Sequence, residues 1–132
     1  MKIGLPLGIP ADHAKPAITE DTIYAMVHQF YGRIRVEPTL GPIFDAQIEP
    51  QAWPTHLARM CDFWSSALLG TQRFQGNPLR VHMQLDSLKL EHFSLWLGLF
   101  ADTLRQVYPE ETAALIEAKA RRIGRKLEQA AR

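Results

Sequence analysis

The sequence predicts an all-α domain, and three observations carry that prediction. Leu and Ala together number 31, against 13 for Val and Ile; the first pair are strong helix formers, the β-branched pair strand formers. Large apolar residues recur at three- and four-residue spacings in separate stretches, the period of a helix with one buried face. Nothing alternates apolar and polar residues as a half-buried strand does. At 132 residues the chain is one domain by size and long enough to hold a real core.

Residues 1–18 read as a loose arm. Their short apolar stretch is broken by Gly4, Pro6, Gly8 and Pro10, and one basic residue with no following cleavage site does not make a signal peptide. The domain then runs over 19–132. Thr19 can cap a first helix, with Glu20 and Asp21 where the helix dipole favours negative charge. Ile23, Val27, Phe30, Tyr31 and Ile34 form its stripe, and Pro38 stops it after Val36. Residues 38–44, with two prolines and a glycine, read as a corner that folds Leu40, Ile43 and Phe44 back onto the core. A second helix starts at Trp53-Pro54, since a first-turn proline loses no hydrogen bond. His56, Met60, Phe63 and Trp64 share one face of it, widened by Leu57, Cys61, Ala67 and Leu68.

After a loop holding Gly70 and Gly76, Asn77-Pro78 resembles a cap and first-turn proline for a short helix through Leu79 and His82. A third long helix covers about 89–107, with Phe93, Trp96, Leu97, Phe100 and Leu104 on one face. Tyr108-Pro109 breaks it. A last helix runs to the C-terminus with Leu115, Ile116, Ala120, Ile123 and Leu127 inward. The two middle joints are long for a simple four-helix bundle. A small orthogonal helical fold that spends its loops on positioning a site fits better.

Composition excludes several function classes. A net charge of +1 and a pI near 8.0 supply no strong field towards nucleic acid or a membrane surface. No apolar run approaches the ~20 residues of a spanning helix. Cys61 is the single cysteine, so no internal disulfide forms, which points to a reducing compartment and the cytoplasm. Paired-cysteine and His-Glu-x-x-His zinc motifs, Gly-rich phosphate loops and Gly-x-Ser-x-Gly are absent. The basic stretch 117–132 reads as a solvated helix end that complements the dipole. With near-neutral charge and no extra apolar stripe, a monomer is the default.

Five histidines remain. His13, His28 and His92 suit structural or solvated positions, as most lone helical histidines do. His56 differs because it heads an apolar stripe, and a buried imidazole needs a partner. His82 differs because a very short helix pinned by Pro78 makes sense as a device for presenting one side chain. Two inward imidazoles, Tyr31, Trp96 and many large apolar residues suit a flat apolar cofactor with a metal at its centre. Haem iron takes a neutral imidazole on one side, and the polarity of the other side decides which gas binds. Stripes of Phe, Trp and Met are nonetheless more often plain core than cofactor box.

Five separated segments settle the weighing. Phe30-Tyr31-Gly32-Arg33-Ile34, Leu40-Gly41-Pro42-Ile43-Phe44, Trp53-Pro54-Thr55-His56 with Phe63-Trp64, Gly76-Asn77-Pro78-Leu79-Arg80-Val81-His82 and Phe93-Ser94-Leu95-Trp96-Leu97 run in the order and spacing of one family. The chain resembles the truncated haemoglobins, most closely their third group, over about residues 20–127. It departs from other groups in lacking Gly-Gly pairs at helix ends, and its N-terminal arm exceeds the family core.

The resemblance implies a globin-like fold, a truncated 2-over-2 helical sandwich around haem b (iron protoporphyrin IX). It implies His82 as the iron ligand, and Tyr31, His56 and Trp96 as distal donors. Phe30, Phe44, Met60, Phe63 and Trp64 are implied as haem-packing residues, with Arg80 and Met83 beside the iron ligand; Arg59, Arg73 and Arg80 all stay open as partners of the propionates. The implied activity is binding of dioxygen, nitric oxide or carbon monoxide with tight distal hydrogen bonding. Nitric oxide dioxygenation or peroxidase-like chemistry with a reductase partner would extend it. The competing expectations are a gas sensor or ligand store acting through a partner, and a cofactor-free helical interaction module.

Overall fold

The computed structural model describes residues 17–74 and 90–131. Among them lie five α-helices, one 3-10 turn and no strand. The expected short helix of 77–82 and the arm of residues 1–16 fall outside the described residues.

α1, Glu20–Val36, starts as its sequence demands. Thr19 Oγ1 accepts from the Thr22 N–H at 3.1 Å, and Thr22 Oγ1 accepts from the Thr19 N–H at 2.9 Å. This reciprocal box satisfies donors that a helix start leaves open. The predicted stripe is buried, with Met26 added to it.

The corner expected at 38–44 is instead a helix, α2, Leu40–Gln47. Two things overcome its prolines. Pro42 falls in the first turn, where the N–H it lacks has no helical partner. Glu37 Oε1 accepts from the Thr39 and Leu40 N–H groups at 2.6 and 2.7 Å, putting a carboxylate at the positive end of the helix dipole. Gly41 is required by a close approach: a Cβ there would lie 2.6 Å from the Arg35 carbonyl oxygen. Leu40 and Phe44 still reach the core, as expected.

A 3-10 turn, Pro50–Ala52, leads into α3, Trp53–Leu69. Gly70 ends α3 with a left-handed φ of 68°, its N–H donating to Ser66 O at 3.1 Å. The next residues are fastened to the start of α1. Ser65 Oγ donates to Glu20 Oε2 at 2.8 Å and lies 2.8 Å from the Thr71 hydroxyl, and Arg73 pairs with Glu20 at 3.3 Å.

α4, Leu90–Val107, and α5, Glu110–Ala131, form a hairpin broken at Tyr108-Pro109. α4 packs chiefly on α5 and on α1; α1 in turn meets α3 and α2, so α1 is the spine of the core. Leu115, expected inward, is 56% exposed. The buried face of α5 is Ala113, Ile116 and Ala120, and Gly124 lets Leu97 of α4 come close. The basic run of α5 sits in its middle turns rather than the last one, so it does not complement the dipole as expected. Part of it is paired, Arg121 with Glu117. No described helix is long and apolar enough to cross a membrane.

Candidate functional site

Four helices deliver rings to one continuous cluster. α1 supplies Phe30 and Tyr31, α2 Phe44, α3 Trp53, His56, Phe63 and Trp64, and α4 Trp96 and Phe100. Tyr31 is the hub. Its ring centroid lies 5.0 Å from His56 at 88°, 5.1 Å from Phe30, 6.0 Å from Trp53 and 6.2 Å from Phe44. Phe30 carries the cluster on to Trp96 at 5.6 Å and Phe100 at 4.9 Å. Trp64 and Trp96 stack on Phe100 at 5.1 and 5.9 Å. These edge-to-face and offset contacts are the arrangements aromatic quadrupoles favour.

The three residues expected as donors are therefore gathered in one place. Tyr31 and His56 touch edge to face, and Phe30 bridges Tyr31 to Trp96. Tyr31 is 3% exposed and Trp96 6%, while His56 is half-buried with its Nε2 fully covered. Burial pushes the Tyr31 phenol well above its ordinary value. The phenolate is disfavoured by desolvation, so Tyr31 keeps its proton and can donate. The Trp96 indole N–H donates at any pH.

Of the residues expected to pack a cofactor, Phe30, Phe44, Met60 and Trp64 are buried and Phe63 is half-buried, stacked edge-on to Trp64 at 5.1 Å. His82, Arg80 and Met83 lie outside the described residues. Arg59 lies 5.8 Å above the Phe74 ring, and Arg73 is engaged by Glu20. Cys61 is half-buried rather than buried. Burial and the neighbouring carboxylates of Asp62 and Glu20 push its thiol upwards, which suits an inert thiol rather than a reactive one.

Trp53 is the member that sequence reasoning missed. It reads as a helix starter, yet it is 3% exposed and meets His56 at 5.4 Å and 86°. Its signal is the three-residue spacing to His56, which puts both on one helix face. Its Nε1 is buried without a hydrogen-bond partner among the described residues.

The chemistry of this cluster fits a flat apolar group. No charged side chain is fully buried among the described residues; the buried polar ones are Thr22, Ser65 and Thr103, and Ser65 and Thr103 spend their hydroxyls on neighbouring protein groups. Tyr31 and Trp96 bring a hydroxyl and an indole N–H into the ring cluster, and most of its lining is hydrocarbon.

No family model matches the chain. The group 3 truncated hemoglobin ctb of Campylobacter jejuni is 35% identical over 108 residues, which is 80% of this chain and 85% of that protein. A crystal structure of a group III truncated hemoglobin from Campylobacter jejuni superposes with a TM-score of 0.82 and 32% identity, covering 88% of this chain and 93% of that one. Identity at that level over most of both chains, with the same helical fold, decides the assignment: the chain belongs to the group III truncated haemoglobins and has their truncated globin fold.

Proposed function

We propose that this chain binds haem b against the ring cluster with His82 as the iron ligand, and that it binds dioxygen, nitric oxide and carbon monoxide there. The observation that carries this reading is the meeting of Tyr31 and His56 at 5.0 Å inside an aromatic wall that also holds Trp96, with no charged side chain fully buried among the described residues. His82 would hold the haem iron, which would supply the point at which a diatomic ligand attaches. The protein's own residues do the rest. Phe30, Phe44, Met60 and Trp64 exclude water from the wall, which strengthens any hydrogen bond made beside them. Tyr31, held protonated, and Trp96 would donate hydrogen bonds to a ligand carrying partial negative charge beside them. His56, half-exposed, sits where it can donate inwards or turn towards solvent.

Several donors to one ligand slow its release, since each charge-assisted bond adds roughly 1.5–3 kcal/mol. A protein that releases dioxygen slowly is a poor bulk carrier. Redox chemistry on the ligand, with a reductase as partner, is the role this donor set favours over storage or sensing. Nitrate formation from nitric oxide by the dioxygen-loaded protein with a reductase present separates the two. The binding reading itself is tested by absorption spectra of the ferric, ferrous and carbonyl forms. A Soret band that is lost or altered in His82→Ala is expected. A chain that takes up no hemin, or a variant with an unchanged spectrum, overturns the cofactor or its ligand respectively.

A further inference from the structure

Trp53 has one peculiarity that ligand binding leaves unused. Its indole is almost fully covered, yet no polar group among the described residues receives its N–H. Faces and edges hold it instead. Tyr31 and His56 lie 6.0 and 5.4 Å away, and the Arg35 guanidinium stands 4.5 Å above the ring. Arg35 comes from the last turn of α1, is 45% exposed, and reaches Asp45 of α2 at 3.7 Å. A path of contacts therefore runs inwards from the surface, from Asp45 through Arg35 and Trp53 to His56. The imidazole at its end meets two rings, nearly perpendicular to both Trp53 and Tyr31.

A dry indole N–H gains hydration by turning outwards. The cation over the ring face opposes that turn, because ring and guanidinium attract through the quadrupole. The two effects are of similar size, so a single surface charge can decide between them. We propose that Trp53 is a positioning residue for His56 and that Arg35 latches it, so that this surface cation governs how readily small neutral ligands pass His56 to the Tyr31 wall. The inference rests on the pocket reading above, but its test does not depend on that reading alone.

The experiment uses the full chain loaded with haem, with carbon monoxide as the probe, and compares Arg35→Ala, Arg35→Lys, Trp53→Ala and Trp53→Phe. Rebinding after flash photolysis reports passage. The His56 Hε1 proton resonance reports whether the imidazole still lies against the two rings. Arg35→Ala is expected to speed rebinding roughly two- to tenfold, the range that losing a cation–π contact allows, and to shift Hε1 towards the position of a solvated imidazole. Arg35→Lys restores part of both changes, a lysine being a weaker stacking partner. Trp53→Ala gives the largest change. Trp53→Phe keeps a ring and removes the dry N–H, so its rebinding is no faster than that of the parent.

Rebinding and Hε1 both unmoved in Arg35→Ala would overturn the latch, and so would rebinding accelerated in Trp53→Phe. Should Trp53→Ala not fold, Arg35→Ala, a change at an exposed side chain, still decides. Failure of the parent to take up haem would sink the pocket reading instead, and Hε1 in the same full chain would still judge the latch.

Discussion

The α4–α5 interface and the ring cluster are both buried, but they are built differently. Leu104, Ile116, Ala113 and Ala120 are 0% exposed and aliphatic; of the buried hydroxyls on this side, Thr103 donates to Leu99 O at 2.8 Å and Tyr108 sits at the hairpin turn. The ring cluster uses large planar side chains instead. It keeps a dry indole N–H on Trp53, a buried phenol on Tyr31 and a half-exposed imidazole on His56. A buried polar atom without a local acceptor, as at Trp53 Nε1, costs stability, whereas close-packed aliphatics supply it. On the proposed reading, the aliphatic interface carries folding free energy and the ring cluster carries ligand chemistry.

Leu104→Ala is the strongest way to break that division. It removes a fully buried side chain from the aliphatic side and is expected to lose about 2–5 kcal/mol of stability by urea unfolding. The dioxygen release rate of the folded fraction should stay near that of the parent. A release rate that moved with stability would show the two regions to be one.

Tyr31→Phe should give the opposite pattern. The ring and its contacts remain, so stability changes little, while loss of one donor speeds dioxygen release roughly ten- to a hundredfold by stopped flow. Trp96→Phe should act in the same direction. Unchanged release in both variants would remove hydrogen bonding from the account and leave the cluster as a mere wall.

Gly41→Ala probes the border of the two regions. The added Cβ meets the Arg35 carbonyl at 2.6 Å, backbone against backbone, so α1 and α2 must part. A loss of about 1–3 kcal/mol is expected from such overpacking. Because Arg35 bears on Trp53, a secondary effect on ligand entry is expected here and not in Leu104→Ala.

The sequence was most legible where one apolar face repeats at the helical period. Ile23 to Ile34, Met60 to Trp64 and Phe93 to Leu104 were placed inward correctly because large residues alone define those faces. α5 was harder. Its contact face is made of Ala113, Ala120 and Gly124, so counting bulky residues wrongly turned Leu115 inward. α2 was hidden because its N-terminal stabiliser, Glu37, lies before the proline that seemed to forbid a helix. In the site, Tyr31, His56 and Trp96 were readable as polar groups on apolar stripes, while Trp53 was not, since nothing in a sequence says that an indole N–H will lack an acceptor.

The smallest expected effect sharpens the comparison from the aliphatic side. Glu117 on α5 accepts from Arg121 at 2.6 and 3.0 Å and from Arg105 of α4 at 2.8 Å, clipping the hairpin at its rim. Arg121 above all, with Arg105, holds its carboxyl below the ordinary glutamate value against the opposing effect of burial. A depressed folded value means that the unfolded chain takes up the proton first as pH falls. The stabilisation is therefore complete above the unfolded value of about 4.3 and disappears as pH drops through the lower folded value. Both arginines are partly exposed, so the clip is worth no more than about 0.5–1 kcal/mol. Glu117→Gln should accordingly be slightly less stable than the parent at neutral pH, and the gap should close as unfolding is followed below pH ~4. Carbon monoxide rebinding should not respond to this variant at all; a response would mean that the hairpin rim and the ring cluster share a moving part.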